Sequence, residues 1–155
     1  MKYNATKLFN LRRKDLLVKL RRVYKSDCQF LYELLSERDP KVNISHKKMP
    51  TFEEHVRFVM SKPYSKWYII QLKNQSVGSI YLTDKNEIGI FMKKELQGKG
   101  IGRKALQLLM KLNPRSRYLA NVNPHNTNSI KFFKKNGFKL IQYTYELINS
   151  DMANR

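Results

Sequence analysis

A chain of 155 residues has the length of one ordinary domain, enough for one good core and too little for two. Its 41% hydrophobic and 12% aromatic content lies above the range of chains that fail to collapse, which excludes disorder as the default. Lys and Arg outnumber Asp and Glu by 31 to 12, a formal charge of +19, so the field around the molecule draws anions: nucleic acid, an acidic surface or a phosphorylated small molecule.

The lone cysteine, Cys28, allows neither an internal disulfide nor a cysteine-based zinc site, and no metal is expected. Its neighbours Phe30 and Leu31 make it a small buried hydrophobe. No apolar run approaches the roughly 18–20 residues of a membrane span, and the N-terminus lacks the apolar core of a secretory signal. The expected setting is the cytoplasm, with no membrane span.

Residues 1–17 read as a basic extension, with Lys7, Arg12, Arg13 and Lys14 among leucines. The first strand is expected over Val18 to Tyr24, followed by a helix capped by Ser26 or Asp27, with Phe30, Leu31, Leu34 and Leu35 at helical spacing,. Arg38, Asp39 and Pro40 stop it. The stretch from Lys41 to Pro50, with His46, Lys47 and Lys48, reads as a surface loop. Thr51 and Glu54 then form a capping box that opens a second helix over Phe52, Val56, Val59 and Met60,.

Two aromatic and β-branched runs, Trp67 to Leu72 and Val77 to Thr83, predict a hairpin turned by Lys73, Asn74 and Gln75,. A strand over Glu87 to Met92, a helix from Ile101 to Leu112, a strand over Tyr118 to Val122, a helix from Asn126 to Asn136 closed by Gly137, and a last strand over Phe138 to Leu147 complete the order,. The expectation is a single α/β (α+β mixed) domain over 18–148, its central, mixed but mostly antiparallel sheet flanked by about four helices. A polar tail over 149–155 follows.

Gln97-Gly98-Lys99-Gly100-Ile101-Gly102 is the densest chemical signal. Alternating glycines bare the backbone, and N–H groups aimed out of a helix N-terminus match phosphate oxygens. A nucleotide-hydrolase loop requires Ser or Thr after Gly-Lys, and a dinucleotide fingerprint requires different spacing after the first strand. Neither fits.

These residues resemble the cofactor loop of the GNAT (GCN5-related) N-acetyltransferase superfamily, Gln/Arg-x-x-Gly-x-Gly/Ala after a strand. Asn126-Thr127-Asn128-Ser129-Ile130-Lys131-Phe132-Phe133-Lys134-Lys135-Asn136-Gly137-Phe138 is similar to that family's Asn-containing helix ending in Gly-Phe. The resemblance covers about residues 18–148 and implies a splayed sheet whose strands 87–92 and 118–122 part to admit the pantetheine arm of acetyl-CoA. By resemblance, the backbone of Ile90, Phe91 and Met92 bonds the pantetheine amides. The N–H groups from Gly98 through Lys99, Gly100 and Ile101 to Gly102 hold the pyrophosphate, Gln97 and Arg103 flank it, and Asn126 and Phe133 lie near the sulfur.

The implied reaction is direct attack of an amine on the thioester. An alkylammonium keeps its proton up to a pKa of about 10.4, so a base is needed. Glu87, at the head of the cofactor strand, is the candidate. Phe133 stands where relatives commonly keep the tyrosine that protonates the leaving thiolate, so Tyr143, Tyr145, Tyr81 or water is left to do so. His46, Lys47 and His55 are candidate acceptor contacts. They favour an anionic amine such as a nucleotide-linked amino sugar, and the missing tyrosine leans the same way or toward a protein N-terminus. Trp67, Tyr68 and Tyr81 read as core or sheet-face aromatics. The alternative from another class is a catalytically inactive module of the same fold that binds nucleic acid, which is the less favoured partner. A monomer or homodimer is expected.

Overall fold

The computed structural model describes residues 17–44 and 48–149. The basic extension, His46, Lys47 and most of the polar tail lie outside the described residues.

Four antiparallel strands in the order β1-β2-β3-β4 form the sheet: β1 Val18–Arg22, β2 Lys66–Leu72, β3 Gln75–Leu82 and β4 Ile88–Met92. Lys73 and Asn74 both take positive φ, 49° and 64°, as a two-residue turn matched to strand twist requires. Tyr68, Ile70 and Leu72 of β2 pack with Ile80 and Leu82 of β3 against Ala105, Leu106 and Leu109 of helix α3, Ile101–Leu112. On the other face Ile69 meets Cys28 and Leu31 of α1, Cys28–Ser36, and Val59 of α2, Phe52–Met60. A strand covered on both faces is apolar at consecutive positions rather than alternate ones.

The predicted capping box of α2 forms: Glu54 N–H donates to Thr51 Oγ1 at 3.2 Å and Thr51 N–H to Glu54 Oε2 at 2.8 Å. The start of α1 is built differently. Asp27 caps no helix N–H; its buried carboxylate accepts from both arms of Arg21, at 2.8 and 3.0 Å, and from Tyr24 N–H at 2.7 Å, tying β1 to the helix it precedes.

Two expected strands are corrected. Over Tyr118 to Val122 the chain makes one parallel bridge, Glu87 to Leu119, through Ile88 N–H to Leu119 C=O and Leu119 N–H to Asn86 C=O, each 2.8 Å. Past that rung side-chain bonds take over: Asn121 donates to Glu87, and Asn123 donates to the carbonyl of Asn43 and accepts from His125 N–H. Asparagine competes with the ladder in this way, and Pro124 cannot donate to one. The second correction concerns Phe138 to Leu147, which forms no strand; Leu140, Ile141, Tyr143, Tyr145 and Leu147 are all more than 60% exposed. Alternating β-formers suit a pleated surface but do not supply the neighbouring edge.

The helix α4 runs Thr127–Lys135, and Gly137 at φ +89° ends it, as a left-handed C-terminal residue should. Its Phe132, with Phe138 just beyond it, packs onto the α3 core. Among the described residues no helix is long and apolar enough to cross a membrane.

Candidate active site

The strand β4 has β3 on one edge only. Ile88 N–H points away from β3 to Leu119, whereas Lys93 N–H points back to Val77. Backbone groups alternate along a strand, so Ile90 and Met92 turn their N–H and C=O to the open edge. Beyond Ile88, no backbone bond among the described residues closes that edge. Phe91 takes the opposite sense: its carbonyl lies against Gly78 of β3. The main-chain contacts expected from Ile90, Phe91 and Met92 therefore narrow to Ile90 and Met92.

The open edge leads to the glycine loop. Gln97 Nε2 donates to Met92 C=O at 3.3 Å, so the loop is tied to the strand it follows. Gly98 and Gly100 have φ +74° and +83°, conformations that cost a residue with a Cβ. Gly100 is the N-cap of α3, no side chain caps the helix, and the first helical bond at this end is Lys104 N–H to Gly100 C=O at 3.2 Å. The N–H groups of Ile101, Gly102 and Arg103 thus lack intrahelical partners, a donor array backed by the helix dipole. Gln97 and Gly98 are exposed, so the turn is open to a ligand. Gly102 serves packing: a Cβ there would stand 3.3 Å from the Phe132 ring and 3.6 Å from Ile90.

Asn126 is the N-cap of α4, and its Oδ1 accepts from Ser129 N–H at 3.1 Å. Phe133 is buried between Phe132 and Phe138, with ring centroids 5.2 and 5.1 Å away.

On the face of β4 that carries Glu87, Gly89 and Phe91 lies a cavity of about 250 Å³. Trp67, Ser79, Tyr81 and Phe91 of the sheet form its floor, and Leu34, Leu35 and Arg38 of the α1 end, His55 and Phe58 of α2, and Tyr64 form its walls. Tyr64 stacks flat on Tyr81 at 3.7 Å. Trp67 Nε1–H donates to Ser79 Oγ at 2.7 Å, and the Arg38 guanidinium lies 4.0 Å over the Phe91 ring. Burial lifts both tyrosine hydroxyls above their ordinary pKa of 10, so they hold their protons, and it pulls the Arg38 pKa down.

His55 is only 5% exposed, and burial pushes its pKa below 6.5, opposed by a hydrogen bond to the Cys28 backbone. Its Nε2 is fully buried and has no hydrogen-bond partner among the described residues. The ring is accordingly neutral near pH 7. Glu87 is half-buried; Oε1 accepts from Asn121 at 2.9 Å and Oε2 from the Thr83 hydroxyl at 3.2 Å. A carboxylate held on both oxygens keeps one orientation.

The structure lines the cavity with His55, Tyr81 and Phe91 and ties the glycine loop to the open edge of β4 through Gln97; Glu87, on the same side of β4 as Phe91, is not part of the cavity lining. The fold does not bring Tyr143 or Tyr145 there: they are 74% and 91% exposed and share no hydrogen bond or ring contact with a described residue. Arg38, Tyr64, Trp67 and Tyr81 were not singled out as cavity residues. The pairing of Trp67 with Tyr81 across the hairpin follows from strand parity and was within reach; nothing in the sequence marks Arg38. Among the described residues no three His, Cys, Asp or Glu side chains gather as a metal site.

The profile of the Acetyltransferase (GNAT) family matches residues 28–138. The chain is 31% identical over 74 residues to the peptidyl-lysine N-acetyltransferase YjaB of Salmonella typhimurium, a match covering 48% of this chain and 50% of YjaB. It thus spans about half the length of that curated relative. Among solved structures, it resembles a domain from Methanocaldococcus jannaschii with a TM-score of 0.73 and 30% identity, covering 85% of this chain and 94% of that one. It also resembles yncA from Salmonella typhimurium, solved with its cofactor acetyl-CoA, with a TM-score of 0.62 and 18% identity over 78% of this chain and 79% of that one.

Proposed function

Since the chain belongs to the Acetyltransferase (GNAT) family, we propose that it transfers an acetyl group from acetyl-CoA to a primary amine by direct attack. The observation that carries this reading is the continuity of two donor sets. The open edge at Ile90 and Met92 runs, through the bond from Gln97 to Met92, to the uncapped N–H groups of Ile101, Gly102 and Arg103. An extended arm with alternating amides and a diphosphate at one end matches that sequence of groups.

Acetyl-CoA supplies the activated acetyl group. Ile90 and Met92 align the arm as an added strand would, and the loop neutralises the diphosphate, with Lys99 and Arg103 at its flanks and Asn126 near the reacting end. Glu87, fixed by Asn121 and Thr83, accepts the proton that the incoming ammonium must lose, directly or through water. As the C–N bond forms and the C–S bond breaks, the thiol sulfur takes up a proton; we assign its delivery to Tyr81, which keeps its own at neutral pH. A backbone N–H on β4 polarises the carbonyl.

The acceptor enters from the cavity face, between α1 and α2. The chain's charge of +19 favours a small anionic amine over a protein N-terminus. Titration calorimetry with acetyl-CoA, followed by thiol release against an amine panel, tests the reading. No binding heat and no thermal shift at millimolar acetyl-CoA would sink it.

A further inference from the structure

The cavity beside β4 is lined by one cation that the fold does not pair. The Arg38 guanidinium rests on Phe91 without a carboxylate; among the described residues the recorded ion pair joins Arg21 to Asp27 instead. Apolar and aromatic walls, Phe58, Tyr64 and Trp67, enclose with Arg38 about 250 Å³. Arg38 is partly buried, and withdrawing a cation from water costs free energy unless an anion or dense hydrogen bonding compensates it. The planar guanidinium fork fits carboxylate and phosphate oxygens alike.

Resting on the acetyl-transfer reading, we propose that Arg38 selects the acceptor by gripping an anionic group on a compact primary amine of amino-acid or monosaccharide size. The body of that amine lies against Tyr64, Trp67 and Phe91. The volume sets the size, since sites for drug-sized ligands begin at about 300 Å³. Charge sets the class. A polyamine or a protein lysine side chain would bring a second cation, or no anion, to the guanidinium. A carboxylate and a phosphate satisfy the same fork, and the two arms of the experiment separate them.

The test uses the full chain, acetyl-CoA and thiol release, with two matched pairs of acceptors: leucine against leucinamide, and glucosamine 6-phosphate against glucosamine. Spermidine and a lysine peptide are the cationic controls. In at least one pair the anionic member is expected to exceed the neutral one by about 10- to 100-fold in kcat/KM, the range of a charge-assisted hydrogen bond. Arg38→Met, which keeps the stem over Phe91, abolishes that preference through KM while kcat and acetyl-CoA binding stay near wild type. Arg38→Lys restores part of it.

A wild-type chain that binds no acetyl-CoA removes the acetyl-transfer reading itself. This inference alone is overturned by a chain that binds acetyl-CoA yet favours neutral or cationic amines, or keeps its anion preference in Arg38→Met. The same holds for one that neither acetylates nor binds either anionic probe.

Discussion

Gly89→Ala puts the cavity floor under direct load. A Cβ at Gly89 would fall on the Tyr81 ring, touching its Cζ, Cε1 and hydroxyl oxygen. The ring has no easy retreat, because Tyr64 lies flat against it at 3.7 Å and Phe91 stands 6.2 Å away. Forcing a methyl into such packing costs about 1–3 kcal/mol, and losing a stacked aromatic contact adds about 0.5–1.5 kcal/mol, so a destabilisation of about 2–4 kcal/mol is expected. For a chain of this length, an unfolding entropy near 0.3 kcal/mol per degree converts that to a fall of about 6–12 °C in Tm. Thermal and urea melts of Gly89→Ala, Tyr81→Ala and the double variant form a cycle. Removing the ring makes room for the methyl, so the double variant should be more stable than the sum of the single losses by at least about 1 kcal/mol. Strict additivity, or a Gly89→Ala chain that melts with wild type, would refute the account of this floor.

Glu87→Gln keeps one oxygen to accept from Asn121, and its amide can donate to the Thr83 hydroxyl instead, so calorimetry should find acetyl-CoA binding within about threefold of wild type while kcat falls on the order of 100-fold. Gly100→Val places a β-branched residue at φ +83°, at the mouth of the N–H array. Acetyl-CoA binding should be lost, and retention of wild-type affinity would dismiss the loop as the phosphate site. His55 titrates below 6.5 in the folded chain and near 6.5 when unfolded, so as pH falls the unfolded state takes up the proton first. Stability should therefore decline as pH drops below about 6.5, down to the folded-state pKa. Melts from pH 7 to 5 should show that slope in wild type and a shallower one in His55→Gln; equal slopes would show that His55 is not held neutral.

Where local chemistry decides the backbone, the sequence was readable. The capping box of Thr51 and Glu54 acts within a few residues and forms as read, and so does the hairpin joining β2 to β3, although its turn is only Lys73 and Asn74 and Gln75 belongs to β3. Long-range partnership was less legible. Tyr118 to Val122 and Phe138 to Leu147 have strand composition, yet pairing needs an edge elsewhere in the chain, and the asparagines at 121 and 123 spend their side chains otherwise. Nothing near His55 marks it as buried, since its neighbours Glu53, Glu54 and Arg57 are polar. Its burial follows from α2 docking on α1, where the Tyr32 ring lies 5.3 Å away, a contact no local pattern encodes. Arg38 escaped notice for the same reason, since Phe91 lies far along the chain.

Among the described residues one parallel rung joins Ile88 to Leu119, and the open edge of β4 begins beyond it. The four steps from Ile88 to Met92 span about 13 Å along the strand, so an extended ligand can lie beside this edge for about that length before the chain turns toward the glycine loop.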